Sequence, residues 1–484
     1  MSPEIVTVAF TAFVILIGMI LVAQPIWLSL AVSGAVGLFL LDGAGVATSA
    51  IGSTAYTSTS KYALVIVPMF VLMGVFAHRA GLAIDVFALA ERATRKLPGG
   101  LGVATILACG GFSAVTGSSV ATVATIGRIS VDQMTKHGYR ANAAAALVAL
   151  GATLGVLIPP SVLMVIFAIL TGQSIGHLLL AGLVPGLLTM LAYMIAVIIF
   201  YKRGFFTPRT AQELALVEQH SAAVGKRLAG VSVARSTGAG ANDAMGDPPP
   251  ARIEGSQRLT VRNYMGAVYV LLLFVTVIGG MYSGIFTSTE AGAVAAGIAL
   301  LVLVVRISKS GVREVFGSLK RAFIEAASVN SMIFALLFGG AIFAFFLLKT
   351  GLPSLVAESV IDANLPPLVV IIVSLIMLII LGAFLDEVSI LLIVVPLLWP
   401  VIDQMGVDGI WYGVLAMKAT AIGLVAPPVG INVFVASGIS KHVSAERIYQ
   451  AVLPFFIVEL VVIVLLILFP GIATFLPNLM LSAG

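Results

Sequence analysis

Long apolar stretches alternate with short polar breaks along this chain, at lengths set by a membrane rather than by a globular core. Runs over residues 5–23, 26–41, 62–78, 177–201, 264–286, 290–306, 322–348 and 450–470 each approach or exceed the ~20 apolar residues that carry a helix across ~30 Å of hydrocarbon. The first run has no basic stretch before it and no small-residue cleavage site after it, so it is expected as a retained span rather than a signal peptide. Residues 81–97 and 352–363 mix apolar and charged positions at helical spacing, which predicts interfacial helices lying on the bilayer. Residues 101–135 are too long for one span and return to Lys136 on the side where they began. They predict a hairpin that enters and leaves by one face. Residues 202–262 are polar, with the run STGAGAND and Asp247 followed by Pro248, Pro249 and Pro250. They read as a solvent-exposed linker between two apolar halves, 1–201 and 263–484.

The halves repeat each other. GYRANAAAALVALGATLGVLIPPS at 138–161 aligns with GVDGIWYGVLAMKATAIGLVAPPV at 406–429 at a constant shift of 268, so that Gly138/Gly406, Leu147/Leu415, Gly155/Gly423, Pro159/Pro427 and Pro160/Pro428 coincide. Upstream, GGF at 110–112 matches GAF at 382–384, and Gly81 matches Gly351. Charge gives each half a direction. Arg79, Arg92, Arg95, Lys96, Lys136 and Arg140 flank the first hairpin, whereas Glu358, Asp362, Asp403 and Asp408 flank the second, with only Lys349 basic. By the positive-inside rule the two hairpins start from opposite faces, and 22 of the 26 Lys and Arg residues fall on the cytoplasmic side. The linker is then cytoplasmic and both termini periplasmic. An all-α polytopic membrane protein with an inverted repeat, two re-entrant hairpins and two discontinuous helices is expected, a pattern typical of secondary transporters.

Composition agrees and excludes much else. The chain is 60% hydrophobic and only 10% charged, against about 25% charged in soluble domains. A soluble enzyme, a nucleic-acid binder and a disordered scaffold are excluded. The net charge of +5 reflects basic cytoplasmic loops rather than a nucleic-acid partner. Cys109 is the single cysteine, which rules out an intrachain disulfide. No GxxxxGK[ST] or HExxH motif is present, and His78, His137, His177, His220 and His442 sit at span ends or in loops. Neither an ATP-driven pump nor an intramembrane enzyme finds support.

Candidate chemistry lies in the few polar positions inside the apolar bulk. Each Pro-Pro pair removes helical donors and disfavours helical geometry before it, so the freed carbonyls must line a cavity or bind a cation. Gly151, Thr153 and Gly155 at the first break, and Thr420, Gly423 and Ala426 at the second, are candidates to present oxygens to a small cation such as Na⁺. A packing kink is the alternative. The first tip, FSAVTGSSVAT at 112–122, concentrates small hydroxylated residues where two half-helix ends meet, and a small-residue packing face is its alternative. The second tip, FLDEVSI at 384–390, carries Asp386 and Glu387. A charge at the membrane centre costs about 2.5–3.5 kcal/mol on insertion scales, so Asp386 is expected either to cap the following half-helix or to bind an ion. Lys418 is expected to pair with Glu387 or Asp386, ahead of attracting an anionic substrate or snorkelling to the interface.

These segments resemble the large membrane subunit of the tripartite ATP-independent periplasmic (TRAP) transporters. The resemblance rests on PMFVLMG at 68–74, LPGGLGVATILACGGFSAVTGSS at 97–119, GVLIPPS at 155–161, TGQSIGHLLLAGLVPG at 171–186, FTSTEAGAVA at 286–295, FLDEVSILLIVVPL at 384–397 and APPVGINVFV at 426–435. It covers nearly the whole chain except the linker. It implies a Na⁺-coupled elevator importer in the bacterial inner membrane, working with a small four-helix membrane subunit and a periplasmic binding protein that delivers organic acids, carboxylates and sugar acids among them. A stand-alone Na⁺/anion symporter is the alternative. Carried over from the family, one Na⁺ site involves Ser113, Thr116, Gly117 and Ser118 with Gly151, Thr153 and Gly155. The other involves Gly382, Asp386 and Ser389 with Thr420, Gly423 and Ala426. Substrate would lie near Ser118, Ser119, Ser161 and Asn432. The chain departs from the family where Ala426 stands for a common Thr, where Thr122 is neutral, and in the length of its linker.

Overall fold

Every regular element among the described residues is a helix. The computed structural model describes residues 3–206, 261–440 and 443–483, so the linker predicted over 202–262 lies outside the described residues except at its ends. The first half comprises α1 (Pro3–Leu21), α2 (Ile26–Thr59), α3 (Ile66–Arg79), α4 (Leu82–Thr94), α5 (Gly100–Thr116), α6 (Ser119–Lys136), α7 (Ala141–Ala152), α8 (Leu154–Leu157), α9 (Val162–Thr171) and α10 (Ile175–Lys202). The second comprises α11 (Val261–Tyr282), α12 (Ser288–Ile307), α13 (Val312–Thr350), α14 (Leu352–Asp362), α15 (Pro367–Gly382), α16 (Glu387–Gln404), α17 (Gly409–Gly423), α18 (Ile431–Ile439), α19 (Ala445–Leu468) and α20 (Gly471–Ala483). Nine helices among the described residues are long and apolar enough to cross a membrane.

The hairpins are α5–α6 and α15–α16. The first limbs, of 17 and 16 residues, reach about 25 Å at 1.5 Å per residue and fall short of the hydrocarbon layer. Gly117 ends α5 in the left-handed region at φ 59°, where a side chain would be strained. Ser118 then starts α6 by accepting the Ala121 amide at 3.4 Å. Each broken helix packs beside a hairpin: α7 against α5 and α6, and α17 against α15. At the first break, α7–α8 and α9 meet at 42°. Beyond the breaks the halves exchange partners, for α9 packs on α16 and α18 packs on α6 and α7. Apart from the four-residue α8, which has no counterpart, the element order from α3 to α10 recurs from α13 to α19.

Helices α2 and α13 are joined so closely that a Cβ on Gly34 would lie 2.8 Å from the Phe343 backbone, the small-residue packing that membrane helices use in place of a hydrophobic driving force. Left-handed residues flank the short helices α4 and α14: Gly81 directly before α4 and Gly99 at the start of α5 after it, Gly351 directly before α14 and Asn364 two residues after it. Asp85 ties α4 to its neighbours. Its carboxylate accepts from Arg306 on α12 and, at 3.1 Å, from Asn263 on α11. The Asp85 and Arg306 side chains are 5% and 9% exposed. Removing one partner of so buried a pair costs about 3–5 kcal/mol, whereas the more exposed Arg79–Glu325 pair at 2.6 Å is worth at most about 1 kcal/mol. Thermal unfolding of the purified protein should therefore register Arg306→Ala as a large loss and Glu325→Ala as a small one. Equal shifts would contradict the clamp.

Three elements differ from the apolar pattern. The span expected over 26–41 continues to Thr59, past a non-helical Gly43 at φ 78°. Residues 44–59 are mainly small and hydroxylated, so they carry no hydropathy signal. The run at 322–348 sits inside the 39-residue α13. Helix α20 was not expected at all, because Pro477 and its short length hide it.

Candidate functional site

Both hairpin tips rest on the breaks. At the first, Gly155 faces Ser113, and an added Cβ would lie 3.1 Å from Ser113 Oγ. Gly117 likewise abuts the Pro160 carbonyl, at 2.5 Å from a Cβ position. Thr122 anchors this tip: its hydroxyl lies 3.2 Å from those of both Ser113 and Thr116 and donates to the Ser118 carbonyl at 2.9 Å. Sequence reasoning placed Thr122 at the end of the hydroxyl-rich tip string and noted it as neutral without giving it a role, yet its i+4 spacing from Ser118 was the available sign of an anchoring hydroxyl. Gly151 packs lower, against Cys109. The Thr153 hydroxyl turns away from the tip, donating to the Leu150 carbonyl at 2.6 Å and lying 3.3 Å from the Tyr193 hydroxyl. Thr153 is therefore not gathered with the tip residues.

At the second site the contact is backbone to backbone. A Cβ on Gly423 would lie 2.6 Å from Gly382 Cα, so two glycines are required there. The Ala383 carbonyl accepts from the amides of Val429 and Gly430 at 3.1 and 3.0 Å, fastening tip to break. Asp386 Oδ1 caps α16 through the amides of Val388 and Ser389, both at 3.1 Å, and Oδ2 accepts from the Ser389 hydroxyl. The Thr420 hydroxyl is buried with no hydrogen-bond partner among the described residues, as is Asn432 Oδ1. An orphaned hydroxyl one turn before a helix break suits a hard monovalent cation rather than a transition metal. Among the described residues no three His, Cys, Asp or Glu side chains converge.

A family model described as "Tripartite ATP-independent periplasmic transporter, DctM component" matches residues 13–472. The chain belongs to the DctM family. It is 31% identical to the C4-dicarboxylate TRAP transporter large permease protein DctM of Vibrio cholerae, over 97% of each chain. It is 28% identical to the sialic acid TRAP transporter large permease protein SiaM of the same species, over 97% of this chain and 98% of the relative. Among solved structures, the YdaH transporter of Alcanivorax borkumensis matches with a TM-score of 0.56 and 15% identity over 90% of each chain, a likeness of fold alone.

The remaining candidates of this DctM chain divide. The tips touch each other, for Ser119 donates to Glu387 Oε2 at 3.0 Å. Ser118 directly precedes Ser119, whereas Asn432 on α18 donates through Nδ2 to the Ala149 carbonyl on α7 at 3.4 Å. Ser161 is committed to the backbone: it donates to the Val156 carbonyl at 2.8 Å and caps α9. The expected pairing of Lys418 with Glu387 or Asp386 is wrong. Lys418 pairs instead with Glu459 on α19, because α17 directs that side chain away from the tip and towards α10 and α19. Glu459 was missed by sequence reasoning, although a lone carboxylate in the run FFIVELVVIVLLIL was the available signal.

Proposed function

We propose that this permease imports organic acids by coupling their movement to Na⁺, in an elevator motion of the hairpins and broken helices against the rest of the fold. The observation that carries the reading is the second tip and break, where an orphaned buried Thr420 hydroxyl lies one turn before the Gly382–Gly423 contact and the tip that Gly423 touches carries the capping carboxylate of Asp386. Gly117, Ser113, Thr116 and Ser118 supply the analogous first site with Gly155, and Gly151 supports it from behind. Ser119, Glu387, Ser118 and Asn432 mark where the two tips enclose substrate. Helices α4 and α14, each flanked by left-handed joints, suit arms that let a packed unit move as a body. The reciprocal packing of α9 on α16 and α18 on α6 makes that unit one piece.

The family is tripartite, and the named relatives carry C4-dicarboxylates and sialic acid. A small membrane subunit and a periplasmic binding protein for a carboxylate are the partners we assign. The bacterial inner membrane is the location, with the 202–262 linker cytoplasmic and the termini periplasmic, on the charge asymmetry of the loops. Proteoliposomes holding the permease and both partners should accumulate a carboxylate under an inward Na⁺ gradient and stop when it is collapsed. Uptake indifferent to the gradient overturns Na⁺ coupling. Uptake that persists without the binding protein turns the reading to a stand-alone symporter.

A further inference from the structure

The chain buries a charged network that no part of the transport site uses. Lys418 and Glu459 are both 1% exposed and form an ion pair. The Lys418 ammonium also donates to the Thr189 hydroxyl at 3.3 Å, and Thr189 in turn donates to the Pro185 carbonyl at 2.8 Å. One helical turn along α10, the Tyr193 hydroxyl donates to Glu459 and lies 3.3 Å from the Thr153 hydroxyl. Lys418 stands two residues before Thr420, at the second break. Thr153 is the joint between α7 and α8, at the first. The network therefore runs from one interrupted helix to the other through α10 and α19, and it touches neither hairpin tip.

Such a network is a poor device for stability. Replacing a buried pair by apolar residues of similar volume is often neutral or stabilising, so what charge and directional hydrogen bonds add is register. At 3.6 residues per turn, a slip of one residue rotates α17 by about 100° and swings Gly423 off Gly382. An ammonium held by Glu459 and Thr189 forbids that rotation. The Thr153 hydroxyl lies within reach of the same Tyr193 that holds Glu459, sharing its one proton between that oxygen and the Leu150 carbonyl, so a change at one break is passed to the other through contiguous groups.

We infer that Lys418, Glu459, Tyr193 and Thr189 are positioning residues that set the register of both broken helices and couple the two breaks to each other. The inference rests on the Na⁺ reading for its transport consequence but not for its structural one.

The test compares wild type with the apolar pair Lys418→Met/Glu459→Leu in the full permease with its partners. It reads thermal midpoint, Na⁺ dependence of uptake, and backbone hydrogen exchange in Na⁺-free buffer. The expected result is an unchanged midpoint, a half-saturating Na⁺ concentration raised at least ten-fold with maximal rate retained within three-fold, and faster exchange at both 150–156 and 418–426. Tyr193→Phe, which removes the hydroxyl that bonds Glu459 and meets Thr153 and serves if the pair variant does not fold, should speed exchange at both breaks, more at 150–156 than at 418–426, where the Lys418–Glu459 pair remains. Unchanged exchange at the breaks overturns the inference, and so does faster exchange with an unaltered Na⁺ dependence. If wild-type uptake ignores Na⁺, the coupling reading of the preceding section fails, and exchange at the two breaks still decides this one.

Discussion

Asp386→Asn should raise the half-saturating Na⁺ concentration for uptake by about 10- to 100-fold while leaving the fold intact. The two roles of this carboxylate are separable. As a cap, Oδ1 accepts the amides of Val388 and Ser389, and an asparagine oxygen caps about as well as an aspartate oxygen. As a cation ligand the charge matters: two unit charges about 4 Å apart attract by about 4 kcal/mol at an effective dielectric of about 20. Desolvation of the carboxylate returns part of that, and a remainder of about 1.5–3 kcal/mol corresponds to the stated change in affinity. Oδ2 makes one hydrogen bond, to Ser389, and keeps a lone pair for an ion. Asp386→Ala removes cap and charge together and adds about 0.5–2 kcal/mol of destabilisation, visible as a lower thermal midpoint. An Asn variant with wild-type Na⁺ dependence would reduce Asp386 to a cap.

What the sequence made legible here was whatever announces itself locally. Paired prolines break a helix wherever they fall, so both breaks stood out, and the matched spacing of Gly155/Gly423 placed them in corresponding positions of two halves. A Gly-Ser cluster in a segment too long for one span pointed to the first tip. The partners of buried charges were not legible. Lys418 and Glu459 lie on different helices, and period and composition report that each is costly without saying what it meets. Their shared place inside the apolar bulk favoured Glu387 and Asp386, and helix rotation decided otherwise. Orientation hid Thr153 in the same way: it sits at the break as predicted, yet its hydroxyl points to Tyr193. Elements without apolar contrast, such as the continuation of α2 beyond Gly43, were hidden because small and hydroxylated residues pack well against helices while scoring poorly for hydropathy.

The second break should be far less tolerant of a methyl group than the first. In Gly423→Ala the added Cβ would lie 2.6 Å from Gly382 Cα, 2.9 Å from its carbonyl carbon and 3.0 Å from the Ile379 oxygen. All three are backbone atoms and cannot swing aside. The tip must lift, which strains the packing by about 1–3 kcal/mol. Lifting also stretches the two bonds from Val429 and Gly430 to the Ala383 carbonyl, each worth about 0.5–1.5 kcal/mol. The middle of the total, about 4 kcal/mol out of about 2–6, exceeds the ~2.8 kcal/mol that separates full from one-hundredth binding, so Na⁺-driven uptake should fall to about a hundredth of wild type or below. At the first break, Gly155→Ala meets the Ser113 side chain at 3.1 and 3.3 Å and backbone no nearer than 3.4 Å. A serine can turn, so about 1 kcal/mol and a several-fold loss are expected. Gly438→Ala, within α18 and with nothing inside 4 Å, is the control and should be neutral or stabilising by up to about 1 kcal/mol. If Gly423→Ala transports as well as Gly155→Ala, the tip does not bear on the break, and the second cation site loses its geometric basis.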